Sequence, residues 1–416
     1  MMIKWQIVFG LVVAFLLGCA AVDVEPGEDT ATRSEAVTHP VVIQASVPAD
    51  APVVYVAGNL PELGPWHPAA LKMAGDGTSR SVTIQVPHGH NLQYKITAGS
   101  WEQEGLGPSA TVLPSFTATI TEPVTLTAAI AGFRTDPVAL ISDWRGSGVK
   151  GDLTYWTDVT STFLEETRHV VVWTPPDYAA HPDRDYAVIY MHDGQNLFDP
   201  RLSYTNIDWG VDEAMMKGAE EGLFEPAIVV GIWNTAARLK EYSPDHLAPQ
   251  YARFLIEELM PRVEQDFRVK RGPEHTFTMG SSMGAIVSFY LVRDYPEVFS
   301  GCGCLSTHIT WSEQQIAWYN GEDPTDANPV PFLLRSLTPD AAMPSGQRLY
   351  FDYGTEGLDA HYEQPTQVLA QWLETQGYRR GDTLNVEKYD GADHNEAAWR
   401  ARVGKQLTWL LAPRRP

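Results

Sequence analysis

"HTFTMGSSMGAIVSFYLVRDYPEVFSG", residues 275–301, decides the fold. An apolar run stops at Gly280, and Ser282 follows with glycines at 280 and 284. Apolar residues at helical spacing, Ile286, Phe289 and Tyr290, then begin at once. Strand, sharp bend and helix in that order are what the G-x-S-x-G elbow requires. The glycines remove crowding around the bend, which lifts the Ser282 hydroxyl above the end of the strand. The helix start behind it favours developing negative charge.

The surrounding chain repeats this alternation. "HVVVWTPP", "YAVIYMHDG", "AIVVGIWN", "GCGCLST", "RLYFDYG" and "LNVEKYDG" read as strands. Between them lie helical patterns such as "APQYARFLIEELMPRVEQDF", "QVLAQWLETQGY" and "EAAWRARVGKQLTWLL". In the last, Trp399, Val403, Leu407 and Leu410 make one apolar face. The fold class is therefore α/β, a mostly parallel sheet with helices on both faces. Earlier in the chain the texture differs. "VVIQASV", "PVVYVAGN", "SVTIQV" and "LQYKITA" are short β-rich runs between turn residues, as in a small all-β sandwich. The division expected is an α/β domain over 150–416, a connecting stretch over 133–149 and the sandwich over 38–132. Residues 20–37 are acidic and without apolar period, a flexible tether.

A serine hydroxyl needs a base, and in this topology the order is serine, acid, histidine. "YDGADHNEAAW" sets His394 between the last strand and the last helix, where the base belongs. His308 precedes any plausible acid, and His361 opens a helix. The acid should follow "RLYFDYG". Asp359, at the mouth of the next helix, is preferred, with Glu356 as the alternative; Asp352 lies inside the strand. An oxyanion would need two N–H donors. One is the amide of Met283, and the other that of Gly194 or Gln195, in the loop of "AVIYMHDGQNLF".

Composition excludes some partners. The 416 residues carry a formal net charge of −22, which repels nucleic-acid phosphates and anionic lipid heads. Of three cysteines, Cys302 and Cys304 share one face of a strand and read as small buried hydrophobes. No second Cys/His pair has metal-ligand spacing, so neither a metal nor another cofactor is expected.

Three resemblances add to this. "VIYMHDGQNLFD", the elbow segment, "CLSTHITW" and "DGADHNEAAW" resemble the esterase family that contains esterase D, enterochelin esterases and feruloyl and acetyl-xylan esterases. The likeness spans about residues 150–412 and implies a metal-free α/β-hydrolase fold. It carries over Ser282 as nucleophile, His394 as base and Asp359 as acid. It further implies that His308 and Trp311 touch substrate and that Arg238, in "ARLKEYSP", helps there. Residues 39–110 resemble a glucoamylase-type starch-binding module. Trp66, Lys95 and Trp101 match its sugar platform, with Glu102 beside them, and strand alternation turns Lys95 outward, opposite Tyr94. "MMIKWQIVFGLVVAFLLGCAAVD" has a charged start and an apolar run too short to span a bilayer. Its "LLGC" resembles a bacterial lipoprotein signal over residues 1–19, which implies a lipidated Cys19 and a membrane-anchored place in the cell envelope, outer membrane before inner.

Together these lead to the expectation of a serine esterase acting on an acylated small molecule or glycan, with polysaccharide contact through the front domain. The rivals are a siderophore or other small-ester hydrolase, an acyltransferase, and a non-catalytic surface glycan binder.

Overall fold

Eight strands form the main sheet of the computed structural model, which describes residues 37–64, 66–134, 137–315, 327–328, 331–335 and 342–413. They are β1 (Asp152–Val159), β2 (Arg168–Thr174), β3 (Ala187–His192), β4 (Ala227–Ile232), β5 (Thr276–Ser281), β6 (Gly301–Leu305), β7 (Arg348–Gly354) and β8 (Leu384–Tyr389). The spatial order is β1-β2-β4-β3-β5-β6-β7-β8. The pairs β1–β2 and β2–β4 are antiparallel, and every other pair is parallel. The expected mostly parallel sheet is present.

Side-chain alternation sorts the strands onto two cores. On one face Val170, Val172, Val188, Tyr190, Val230, Cys302 and Phe351 meet Tyr251, Leu255 and Leu259 and the helix Met283–Asp294. On the other, Val171, Ile189, Met191, Val229 and Met279 meet the helices Val211–Glu220 and Val403–Leu411. The inner strands β2 to β7 are covered on both faces, which is why their runs are almost wholly apolar, while the edge strands β1 and β8 keep exposed residues. Cys302 and Cys304 are buried free thiols on the first face.

Two helical expectations change in detail. The helix over residues 248–266 is continuous, but Phe254–Leu259 is wound as a π segment between Ala248–Arg253 and Met260–Asp266. The last helix is broken into Glu396–Arg400 and Val403–Leu411. At the break Arg402 leaves helical geometry, with φ −130°, and turns inward to Asp352 and Asp359. Trp399, Val403, Leu407 and Leu410 are all buried nonetheless.

One buried ion pair ties β2 to the segment after β4. Arg168 holds Glu241 by two bonds of 2.8 Å, and both side chains are at most 1% exposed. Removing one partner strands the other's charge in the interior. Glu241→Ala is therefore expected to destabilise the protein by about 3–5 kcal/mol. A denaturant melt of the full chain measures this, and a loss under 1 kcal/mol would be a failure of the argument.

The earlier part of the chain builds two smaller sheets. Strands Thr38–Ser46, Ser79–Pro87 and Val124–Ala129 form one, and Tyr55–Gly58, Leu71–Lys72, His90–Thr97 and Phe116–Ile120 form the other. Val41, Ile43, Val56, Ile84, Leu92 and Ile96 pack between them in a core of their own. By its contacts Thr38–Pro416 is one unit. No helix among the described residues is long and apolar enough to cross a membrane. Cys19 and the tether at 20–36 lie outside the described residues.

Candidate active site

The elbow forms where β5 ends. Ser282 takes φ 55° and ψ −119°, a strained conformation for a residue with a Cβ. Its N–H donates to the Leu305 carbonyl at 2.9 Å, and its own carbonyl accepts the His308 N–H at 3.2 Å. Space dictates the first neighbouring glycine and is tight at the second. A Cβ on Gly280 would lie 2.6 Å from the Gly284 carbonyl carbon, and one on Gly284 would lie 3.2 Å from Asp193 Oδ2. Met283 is the first residue of the helix, so its N–H has no acceptor within that helix.

The loop after β3 approaches from the side. Asp193 sits at φ 59°, and Gly194–Asn196 make one short turn. A Cβ on Gly194 would fall 2.4 Å from the Gly231 carbonyl carbon, so only glycine lets the loop lie on β4. Asp193 is buried, and Arg238 holds both its oxygens at 2.7 Å while Asn234 donates at 2.6 Å. Burial pushes its carboxyl up, but the Arg238 charge and these bonds outweigh it and keep the pKa below the usual carboxylate range. Gln195 and Gly194 stand on this fixed base. Arg238, expected at the substrate, is thus committed to framing the loop.

At the far side His394 Nδ1 meets Asp359 Oδ1 at 2.6 Å. Asp359 is fully buried. Its second oxygen accepts Gly354 N–H at 2.7 Å and Ser306 Oγ–H at 2.5 Å, with Arg402 at 3.4 Å. Burial raises this carboxyl's pKa, yet the bonds from His394, Ser306 and Gly354 pull it below the ordinary value. Asp359 is therefore an ionised partner aimed at one ring nitrogen. Glu356 is exposed and makes no bond to His394 among the described residues. Asp352 accepts from Ser306 N–H, Gln406 and Arg402, and burial pushes it up to about 6. The imidazole is gripped edge-on by Trp399 at 5.1 Å and Tyr362 at 5.7 Å.

No hydrogen bond joins the Ser282 hydroxyl to His394 among the described residues. The two are linked through Tyr362, which contacts His394 by its ring and His308 by its hydroxyl, while His308 bonds the Ser282 backbone. Catalytic hydrogen bonds often tighten only around substrate. His308 is 5% exposed, and burial drops its pKa to about 3, so it stays neutral. Trp311 is 2% exposed and donates to Ser243 Oγ at 3.2 Å. Both stand inside the wall of the site rather than open to substrate, Trp311 beside a cavity of about 450 Å³ that Phe163, Leu239, Leu247 and His67 also line.

Ser306 and Arg402 were not singled out in the sequence. The Ser306 hydroxyl donates to Asp359 and accepts from Trp399 Nε1 at 2.9 Å and from Arg402. Only its position directly after the strand run "GCGCL" could have drawn notice.

In the front sheets Trp66 and Trp101 come together, both half-buried, with ring centres 6.4 Å apart and planes at 39°. Trp66 is held at φ 62°, uncommon for so bulky a residue. Lys95 corrects an expectation. It does not face solvent: it is 5% exposed, paired with Glu104 and bonded to the Leu113 carbonyl. The segment carrying Glu104 and Leu113 covers the side that strand alternation left open. The side chain of Glu102 lies outside the described residues. Among the described residues one acidic group, Asp208, Asp212 and Glu213, brings its oxygens within 4.8 Å, and Arg400 already bridges Asp208 and Glu213.

Comparison with known proteins identifies the family. Residues 161–410 match the model of a family described as "Putative esterase". The uncharacterized protein YbbA of Bacillus subtilis (strain 168) is 22% identical over 268 residues, covering 60% of this chain and 94% of that protein. An alpha-amylase of Niallia circulans is 36% identical over 69 residues, 17% of this chain and 5% of that protein. Among solved structures, the enterobactin esterase of Shigella flexneri is similar with a TM-score of 0.49 and 15% identity, covering 89% of this chain and 92% of that one.

Proposed function

The chain belongs to the "Putative esterase" family and is a carboxylic ester hydrolase; from that premise we propose that it cleaves O-acyl esters of a carbohydrate through Ser282, His394 and Asp359. In this reading Ser282 Oγ attacks the ester carbonyl while His394 Nε2 takes its proton. Asp359 keeps the other ring proton on Nδ1 and stabilises the imidazolium. The oxyanion is received by the amides of Met283 and of Gly194 or Gln195. His394 then protonates the departing alcohol, and water, activated by the same ring, releases the acid from the acyl-enzyme. The observation that carries this is the 2.6 Å bond between His394 and a buried, ionised Asp359.

The sugar part rests on the paired indoles of Trp66 and Trp101, whose faces suit the apolar faces of pyranose rings. The 69-residue match to an alpha-amylase favours the same direction. Cys19, by its lipoprotein-like setting, would tether the enzyme to the cell envelope.

A fluorophosphonate probe is expected to label the full chain once, at Ser282, as read by peptide mass spectrometry. A panel of acetylated and feruloylated oligosaccharides, with aryl acetate as reference, then tests the substrate. Absence of labelling would point to a non-catalytic binder, and cleavage of aryl or siderophore-type esters alone would remove the carbohydrate.

A further inference from the structure

The front sheets reach the eight-stranded sheet at two footholds. The first borders the cavity of about 450 Å³, where exposed His67 of the front sheets faces Phe163, Glu165, Leu239, Lys240 and Trp311. The loop 160–167 joins β1 to β2, residues 236–241 follow β4, and Trp311 follows β6. Because β2 runs antiparallel to β4, that loop lies at the same sheet end as the carboxyl ends of β4, β5 and β6. Ser282 stands at that end, where open α/β sheets bind their ligands. Two short links join the cavity wall to the reacting groups. The Trp311 ring is 5.6 Å from that of His308, whose N–H donates to the Ser282 carbonyl. Arg238, between the lining residues Ala237 and Leu239, holds Asp193 at the base of the loop that carries Gly194 and Gln195.

The second foothold is the segment after that loop. Arg134, just beyond the front sheets, donates to the carbonyls of Ser203, at 2.7 Å, and of Tyr204. The Lys95 ammonium sits 5.3 Å from the Tyr204 ring centre. Asn196, last in the turn Gly194–Asn196, accepts the Tyr204 N–H at 2.9 Å. The footholds lie over opposite faces of the sheet. Leu164 and Trp311 pack in the first core, whereas Leu202 and Trp209, on either side of Tyr204, pack in the second. The front sheets thus straddle the carboxyl end of the strands. The paired indoles belong to these same two footholds. Trp66 directly precedes His67, and Trp101 opens the turn that leads to Glu104, the partner of Lys95.

We propose that the front sheets are the outer wall of the substrate cleft. In this cleft the indoles of Trp66 and Trp101 and the cavity behind His67 hold the sugar of the same molecule whose ester meets Ser282, and do not tether the enzyme to a distant stretch of polymer. The cleft rests on the carbohydrate-ester reading and gives the sugar a place at the Ser282 end of the sheet. Its lining suits such a guest. Phe163, Leu239 and Leu247, each partly exposed, offer apolar surface to the C–H faces of a ring, and exposed Glu165, Lys240 and Gln250 offer donors and acceptors to its hydroxyls.

Trp101→Ala and His67→Trp in the full chain test this, the second narrowing the cavity from an exposed position. Thermal melts establish that each variant is folded. Rates are measured on a short soluble O-acetylated oligosaccharide, on an acetylated polysaccharide and on p-nitrophenyl acetate. The ratio of kcat/KM for the short sugar ester to that for the aryl ester is expected to fall about tenfold in both variants, chiefly through KM. A ratio that holds on the short ester and falls only on the polymer would make the indoles a remote tether and overturn the cleft. A ratio unchanged on both, or an equal loss on sugar and aryl esters in a folded variant, would overturn it as well. If the unmodified protein cleaves the aryl ester but no acylated sugar, the carbohydrate reading falls and takes the cleft with it. If it cleaves the sugar esters while both variants keep its selectivity, the cleft alone falls.

Discussion

Ser282→Ala is expected to lower kcat on a short-chain aryl ester by about 10⁶-fold, down to what the remaining oxyanion donors and binding supply. The fold should be untouched. The Ser282 hydroxyl makes no hydrogen bond among the described residues, and alanine keeps the same Cβ at the same strained φ. Its melting free energy should stay within about 0.5 kcal/mol of the unmodified protein. Thermal melts beside initial rates therefore separate chemistry from folding. Turnover surviving near the original rate in a folded variant would show that the elbow is only a bend.

Asp359→Asn is expected to cost about 10⁴-fold in kcat with little change in KM. The reason lies in the second carboxylate oxygen. It accepts from Gly354 N–H, Ser306 Oγ–H and Arg402, so an amide must turn its oxygen to those three donors. Its NH₂ then faces His394 Nδ1, which has to accept instead of donate. The ring proton moves to Nε2 and points at the serine it should deprotonate. Steady-state rates across pH 6–9 check this. A loss under tenfold, or a comparable loss in Glu356→Gln, would reassign the acid.

Much of this geometry was legible in residue order. The G-x-S-x-G spacing announced the crowding at the bend, where a Cβ on Gly280 would meet the Gly284 backbone, whereas the approach of Gly284 to Asp193 shows only in the folded chain. The His394 position followed from its place between the last strand and helix. The choice of Asp359 over Glu356 agrees with burial: one is sealed beneath the ring and the other faces water. What stayed hidden depends on contacts between distant residues. Ser306 and Arg402 meet Asp359 from 53 and 43 positions away, and no local pattern encodes that meeting. Lys95 was misread because alternation assumes that one side of a strand is wet, whereas Glu104, nine residues later, folds back to cover it. The last helix read as continuous because its apolar period is unbroken, although Arg402 interrupts it to reach the acid.

That interruption bears on how the enzyme comes into being. Arg402 shares its single positive charge between two buried carboxylates, Asp352 and Asp359, so the Asp359–His394 pair lacks that cation until residue 402 has docked. A nascent or prematurely terminated polypeptide that already displays its elbow would still be inert.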